Sequence, residues 1–265
     1  MKNKSPLRYP GGKTRACATL DEIVNKYFNM DEFDTIVSPF VGGGSFEFYL
    51  QNKYDKLLVV NDKFTPLFNF WEQCVSNKQS LCDVLSEHQV AGISKEEFAQ
   101  HRKDIMDADK DNEFKQAIHY FIINRCSFSG ATLSGGYSQQ ASKKRFTASS
   151  VDRVLALDLS NFTIYNEDFE SFMCTHCTSN TFTFVDPPYY LQKKSKLYGK
   201  NGDMHEQFDH VKLARVLRKT QHWLLTYNDC DYIRNLYKEY TILPVIWSYG
   251  MNKSKKSSEI VIICY

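Results

Sequence analysis

The sequence predicts an α/β fold: a Rossmann-like, doubly wound sheet with an antiparallel edge hairpin and a mainly helical insertion. Three observations predict it. Short apolar runs alternate with helix-like stretches through both ends of the 265-residue chain, the pattern of βαβ units around a parallel sheet. The last two apolar runs, residues 240–247 and 259–264, have no helix between them, which predicts an antiparallel pair. Between residues 65 and 157 the alternation gives way to consecutive helical spacing.

Taken in order, residues 33–41 (F-D-T-I-V-S-P-F-V) make a first strand that runs into Gly42-Gly43-Gly44-Ser45, with a helix over 45–52. Residues 56–61 (K-L-L-V-V-N) make a second strand ending at Asp62. Helical spacing then covers 67–75, 80–90, 95–106 and 112–125, where Phe114, Ile118, Phe121 and Ile122 share one face. The glycine- and serine-rich stretch S-F-S-G-A-T-L-S-G-G-Y-S over 127–138 reads as a flexible polar loop. Strands resume at 161–165, 181–185 and 223–227, with helices over 206–220 and 231–238. A helical segment set between strands in this way suits either a substrate-gripping unit or a lid.

Composition bounds the function without naming it. Hydrophobic residues make up 42% and charged residues 24%, ordinary for a globular chain. The net charge of +2 neither demands nor excludes a polyanion. Basic residues cluster at Lys143-Lys144-Arg145, at Lys193-Lys194 with Lys196, and at Lys253 with Lys255-Lys256, although such runs are commonly solvated faces. No apolar stretch approaches the ~18 residues of a membrane span, and the N-terminus, M-K-N-K-S-P, lacks an apolar signal core. A cytoplasmic protein without a membrane partner is expected. Eight cysteines without regular spacing read as reduced thiols. Cys174-Thr-His-Cys177 has no second pair at ligand spacing, so no metal is expected there.

Two glycine-rich turns compete for a nucleotide. Arg8-Tyr-Pro-Gly-Gly-Lys-Thr14 ends like a P-loop, but the position that needs the first glycine is Leu7. Pro39-Phe-Val-Gly-Gly-Gly-Ser45 is the better site, because three glycines after a strand let a ligand approach the amides of a helix N-terminus. Asp62 stands 20 residues past Gly42, at the end of the next strand, where α/β nucleotide folds place an acid for ribose hydroxyls. The triplet departs from G-x-G-x-x-G, which favours a mononucleoside such as S-adenosyl-L-methionine over a dinucleotide. A flexible loop and a helix-capping aspartate remain the plainer alternative.

Residues 182–191, F-T-F-V-D-P-P-Y-Y-L, end a buried strand on an acid, two prolines and two tyrosines. In an open α/β sheet, ligands bind beyond the carboxyl ends of the strands. Pro187 and Pro188 stiffen the turn and donate nothing. The Asp186 carboxylate and the Pro187 carbonyl are both acceptors, suited to the two N–H groups of an exocyclic amine. Tyr189 offers a face on which a flipped-out base can stack. The plainer alternative is a strand closed by a rigid turn, with Asp186 as a surface cap.

These residues together resemble the D12-class, Dam-type DNA adenine-N6 methyltransferases, from about residue 7 to residue 264. Tyr9-Pro-Gly-Gly-Lys13 is similar to the family's G-G-K element, Phe40-Val-Gly-Gly-Gly-Ser45 to its F-x-G-x-G-S cofactor loop and Asp186-Pro-Pro-Tyr189 to its catalytic tetrapeptide. Asn124-Arg125 with the loop behind it is similar to the N-R segment that opens a DNA-reading hairpin, and residues 223–229 and 256–262 to the C-terminal strands.

The resemblance implies a discontinuous methyltransferase domain, 1–64 with 158–265, around a helical target-recognition domain, 65–157. It implies S-adenosyl-L-methionine as donor and adenine N6 in double-stranded DNA as acceptor. Asp186, Pro187, Pro188 and Tyr189 would carry the catalysis. Tyr9, Pro10, Lys13, Phe40, Val41, Gly42, Gly43, Gly44 and Ser45 would enclose the cofactor, and Asp62 would hold its ribose. Asp168 would accept from its adenine amine beside Phe169, although Asp168 equally suits a helix N-cap. Asn124, Arg125, Ser129, Lys143, Lys144 and Arg145 would meet the DNA, with Arg125 and Lys143 to Arg145 on phosphates. The loop at 127–138 carries fewer bulky or charged residues than GATC-specific members, so no base contact is assigned. A cognate restriction endonuclease could share the system without touching this chain. The alternatives are a methyltransferase acting on RNA adenine or another planar amine, and a cofactor-sensing DNA-binding module without catalysis.

Overall fold

The computed structural model describes residues 3–107, 112–190, 208–248 and 256–265. The expected sheet is present. Its seven strands are β1 (Thr35–Ser38), β2 (Leu57–Asn61), β3 (Phe162–Tyr165), β4 (Thr181–Val185), β5 (Trp223–Asn228), β6 (Thr241–Ser248) and β7 (Lys256–Cys264), in the order β3-β2-β1-β4-β5-β7-β6. The first five pair in parallel. β7 runs antiparallel to both neighbours, inserted between β5 and β6. β6 and β7 thus pair antiparallel, with β6 on the outside.

Side chains alternate between two cores. Ile36, Phe182, Phe184 and Leu224 face one hydrophobic cluster, Val37, Val185 and Leu225 the other. The first face is covered by α1 (Cys17–Tyr27), α2 (Ser45–Tyr54) and α3 (Thr65–Ser76), through residues such as Leu20, Phe46 and Trp71. The second is covered by α9 (Phe169–His176), α10 (His210–Leu217) and α11 (Asp231–Leu236), through Phe172, Leu213 and Ile233. A central strand covered on both faces has no polar side, and every residue of β4 is buried. Phe182 and Phe184 are each at most 1% exposed, and burial of each stabilises the sheet by about 1.5–3 kcal/mol.

Between β2 and β3 lie α3, α4 (Lys78–Ala91), α5 (Lys95–Asp107), α6 (Glu113–Cys126), α7 (Gln139–Arg145) and α8 (Ala148–Leu155). α3 joins these helices to the sheet, because Trp71 meets Phe48 of α2 at 5.6 Å and Phe162 of β3 at 5.8 Å, while Phe70 stacks on Phe121 of α6 at 5.5 Å. One apolar cluster therefore runs from the sheet into the inserted helices. The stretch read as a flexible polar loop holds two short 3-10 turns and a bridge from Ser127 to Tyr137. Among the described residues, no helix is long and apolar enough to cross a membrane.

Candidate active site

The strand order reverses direction between β1 and β4, and the crevice at their carboxyl ends is where open α/β sheets bind ligands. The glycine loop leaves β1 here. Gly42 and Gly44 have φ of 48° and 66°, a region that strains any residue with a Cβ. The Tyr9 side chain lies against the loop, so a Cβ on Gly42 would sit 2.8 Å from its ring and one on Gly43 2.8 Å from its Cβ. Trp71 Nε1 donates to the Gly42 carbonyl at 3.0 Å, tying the loop to α3. The Gly42 amide donates to Asp62 Oδ2 at 3.0 Å and the Phe64 amide to Oδ1 at 2.9 Å. Loop and acid are therefore in direct contact. Burial pushes the Asp62 carboxyl up to about 6, against the pull of those two amides.

Asp186 follows β4. The Lys13 ammonium lies 2.7 Å from both its oxygens, and donates to the Gly11 carbonyl at 3.0 Å. Thr226 Oγ1 on β5 donates to Asp186 Oδ1 at 2.5 Å. The G-K-T turn thus delivers its lysine to a carboxylate. Lys13 is 4% exposed, and its ammonium stands 5.2 Å from the Tyr189 ring centroid, within cation–π range. Tyr189 donates its hydroxyl to Glu259 Oε2 at 2.6 Å and packs 5.8 Å from the Tyr227 ring. Thr14 and Ser45 share an exposed 3.1 Å hydroxyl contact. Glu47 of α2 is buried and accepts from Ser38 Oγ at 2.8 Å. Burial, with the charge of Asp186 adding to it, pushes the Glu47 carboxyl up to about 8.

Asp168 caps α9, accepting from the Glu170 amide at 3.1 Å. It also receives Lys212 at 2.8 Å and Lys63 at 3.1 Å. Burial works to raise its carboxyl, but the bonds from Lys212, the Glu170 amide and Lys63 outweigh it and hold the group at about 2. Phe40, Phe169 and Phe208 meet beside it, with centroids 5.5–5.6 Å apart, and Lys212 sits 5.1 Å from Phe169.

On the insertion the structure revises part of the sequence reading. Asn124 is fully buried and Arg125 is 6% exposed. Asn124 exchanges hydrogen bonds with the backbone of Arg8 at 3.0 and 2.7 Å. Arg125 donates to the Pro6 carbonyl at 3.0 Å and to the Arg145 carbonyl at 2.7 Å. A phosphate contact for Arg125 does not fit a guanidinium enclosed in this way. The N-R pair instead fastens the N-terminal segment carrying Lys13 to the inserted helices. Lys143, Lys144 and Arg145 are exposed at the end of α7, and Ser129 is half-buried with φ of 61°. The run at 193–196, and Lys253 and Lys255 of the last one, lie outside the described residues, and Lys256 opens β7.

Sequence reasoning missed Thr226, Glu259 and Glu47. Glu259 carried the one available signal, a lone acid heading the apolar run Ile260-Val-Ile-Ile263.

Comparison with known proteins places this geometry. Residues 9–251 match the family model described as D12 class N6 adenine-specific DNA methyltransferase. The chain is similar to the type II methyltransferase M.MjaIII of Methanocaldococcus jannaschii, 24% identical over 93% of this chain and 92% of that protein. It is also similar to the type II methyltransferase M1.LlaDCHI of Lactococcus lactis subsp. cremoris, 26% identical over 100% of this chain and 98% of that one. The match takes in the glycine loop, the Lys13–Asp186 pair and the inserted helices, and the chain belongs to the D12 class N6 adenine-specific DNA methyltransferase family.

Proposed function

We propose that this protein transfers a methyl group from S-adenosyl-L-methionine to the exocyclic amine of an adenine turned out of duplex DNA. One observation carries the reading. Asp186 stands at the carboxyl end of β4, held by Lys13 and Thr226, next to a glycine loop bonded to Asp62.

The donor set fits the cofactor. The glycine-loop amides, the carboxylates of Asp62 and Asp168, and the rings of Phe40 and Phe169 offer acceptors for hydroxyls and an amine together with apolar faces. Tyr9 and Lys13 border the same crevice. S-adenosylmethionine supplies an electrophilic methyl carbon there. Asp186 and the Pro187 carbonyl accept the two N–H groups of the amine, which turns its lone pair out of the ring plane. Tyr189 stacks on the base. Lys13 and Thr226 fix the carboxylate, so it needs little reorganisation as charge develops on nitrogen.

For DNA, residues 65–157 act as the target-recognition unit. Lys143, Lys144 and Arg145 offer an exposed cationic helix end, suited to phosphates with a steep dependence on salt. Phe128, 69% exposed at the start of the 3-10 turns, offers a ring that can stack on a base.

The test is methyl transfer with tritiated donor, offering duplex DNA against structured RNA, followed by sequencing for N6-methyladenine in DNA from cells expressing the chain. Labelled adenine in duplex DNA is the expected product. Asp186→Ala loses transfer while cofactor binding largely survives, and retained turnover in that variant rejects the assigned role.

A further inference from the structure

We infer that Glu259 is a positioning residue for the Asp186–Tyr189 turn: a buried carboxylate, carried in by the antiparallel strand β7, that fixes the Tyr189 ring through its hydroxyl. The catalytic consequence rests on the reaction proposed above; the contact itself does not.

Glu259 is out of place by the sheet's own logic. It is 2% exposed, opposite Asn228 of β5 and Val245 of β6, and it heads the fully apolar run Ile260-Val-Ile-Ile263. A carboxylate buried in a strand is costly without partners, and an apolar residue would serve the sheet better. Its Oε2 accepts from Tyr189 at 2.6 Å, in the range of a strong, charge-assisted bond.

Two further contacts act on the same ring. Lys13 stands 5.2 Å from the Tyr189 centroid and Tyr227 packs 5.8 Å away. Tyr189 follows two prolines with fixed φ, so a ring fixed in place steadies the short turn back to Asp186. The Lys13 ammonium then touches both ends of the turn, Asp186 by hydrogen bonds and Tyr189 by its ring face. β7 reaches this position because it enters the sheet next to β5. A strand lying outside β6 could not place a carboxylate there.

Four variants test this: Glu259→Leu, Glu259→Gln, Tyr189→Phe and the double variant Tyr189→Phe/Glu259→Leu. Glu259→Leu and Tyr189→Phe should each lower the single-turnover rate about 10- to 100-fold, the loss of one charge-assisted hydrogen bond, with cofactor affinity changed far less. Glu259→Gln keeps an acceptor and should recover most of the rate. The double variant should be no slower than the slower single one. The double variant, which removes both partners of the bond, should melt no lower than the native protein. A native rate in Glu259→Leu, a Glu259→Gln variant as slow as Glu259→Leu, or losses that multiply would each overturn the inference. The ring is also read directly by NMR of the protein carrying 13C-labelled tyrosine. Tyr189 ring signals should shift and average in Glu259→Leu and stay in Glu259→Gln, and an unchanged ring in Glu259→Leu overturns the inference. That readout decides the matter even if the native protein methylates no nucleic acid, a result that would remove the proposed reaction alone.

Discussion

Lys13 and Asp186, 173 residues apart, are joined by two 2.7 Å contacts from one ammonium to both carboxylate oxygens. The pair draws the N-terminal turn over the end of β4, so both ends of the chain's site are assembled by one contact. Replacing Lys13 by Met keeps the apolar stem and removes the cation. Methyl transfer should fall about 10- to 150-fold, the loss of a charge-assisted bond. Arginine should recover little, because a planar fork cannot reproduce a point charge bonded to Gly11 and Asp186 together. Single-turnover labelling at saturating cofactor measures this, and a Lys13→Arg variant at the native rate would contradict it.

Thr226 bonds the same carboxylate from the neighbouring strand at 2.5 Å. Thr226→Val is nearly isosteric and leaves one Asp186 oxygen short of a donor. The transfer rate should drop about tenfold through a loss of about 1.5 kcal/mol, while Thr226→Ser retains it. Cofactor affinity, measured by calorimetry, should be unchanged in both.

The glycine loop makes a steric prediction. Gly42→Ala places a Cβ 2.8 Å from the Tyr9 ring at a backbone φ of 48°. Strain of about 1–2 kcal/mol from the left-handed backbone comes on top of the overlap. Cofactor affinity should fall more than about tenfold. Gly136→Ala is the control, since nothing lies within 4 Å of its added Cβ. Equal affinities for the two variants would mean that the loop adapts.

Much of this was legible in the sequence because strand ends and ligands coincide in a parallel α/β sheet. Glycine at 42–44, Asp62 and Asp186 each follow a strand, and a local signal sufficed for each. What stayed hidden depends on pairing over long distances. Thr226 looks like an ordinary strand residue until β4 and β5 are placed in register, Val185 against Leu225. The resemblance of Asn124-Arg125 to the family's N-R segment points to a DNA contact. Only packing shows that their donors are spent on the backbone of residues 6, 8 and 145. Asp168 fills the N-cap role that its sequence also allowed.

The inserted helices carry an acid-sensitive contact. His101 Nδ1 and His119 Nδ1 stand 2.7 Å apart, with the His88 ring of α4 5.4 Å from His101. Glu97 and Asp104 of α5 and Lys115 of α6 also face the pair electrostatically. Burial, then the neighbouring imidazoles, lower His101 to about 4, and burial lowers His119. The folded pair therefore stays neutral where the unfolded chain takes up protons. The pair's contribution to stability should be level above pH 6.5 and fall as the pH drops from 6.5 toward about 4. Thermal melts of the native protein and His101→Gln across that window isolate it: the native protein should lose stability relative to the variant as the pH drops. Identical slopes would place the acid sensitivity elsewhere.

Glu47 gives the opposite dependence on pH. Burial raises its carboxyl from 4.5 to about 8, and Ser38 donates to Oε1. Between those values the folded state holds a proton that the unfolded chain has lost, so this group's contribution to stability declines as pH rises from 4.5 to about 8 and then levels. Glutamine matches the neutral acid in shape and still accepts from Ser38, so Glu47→Gln should remove the decline and melt several degrees higher at the alkaline end. The same proton should govern activity. Once Glu47 ionises, a second negative charge lies in electrostatic reach of Asp186 and competes for Lys13. The native transfer rate should therefore fall above about pH 8, whereas Glu47→Gln should hold its rate there. Matching rate profiles for the two proteins, with matching melts, would mean that this buried acid does not titrate within the range.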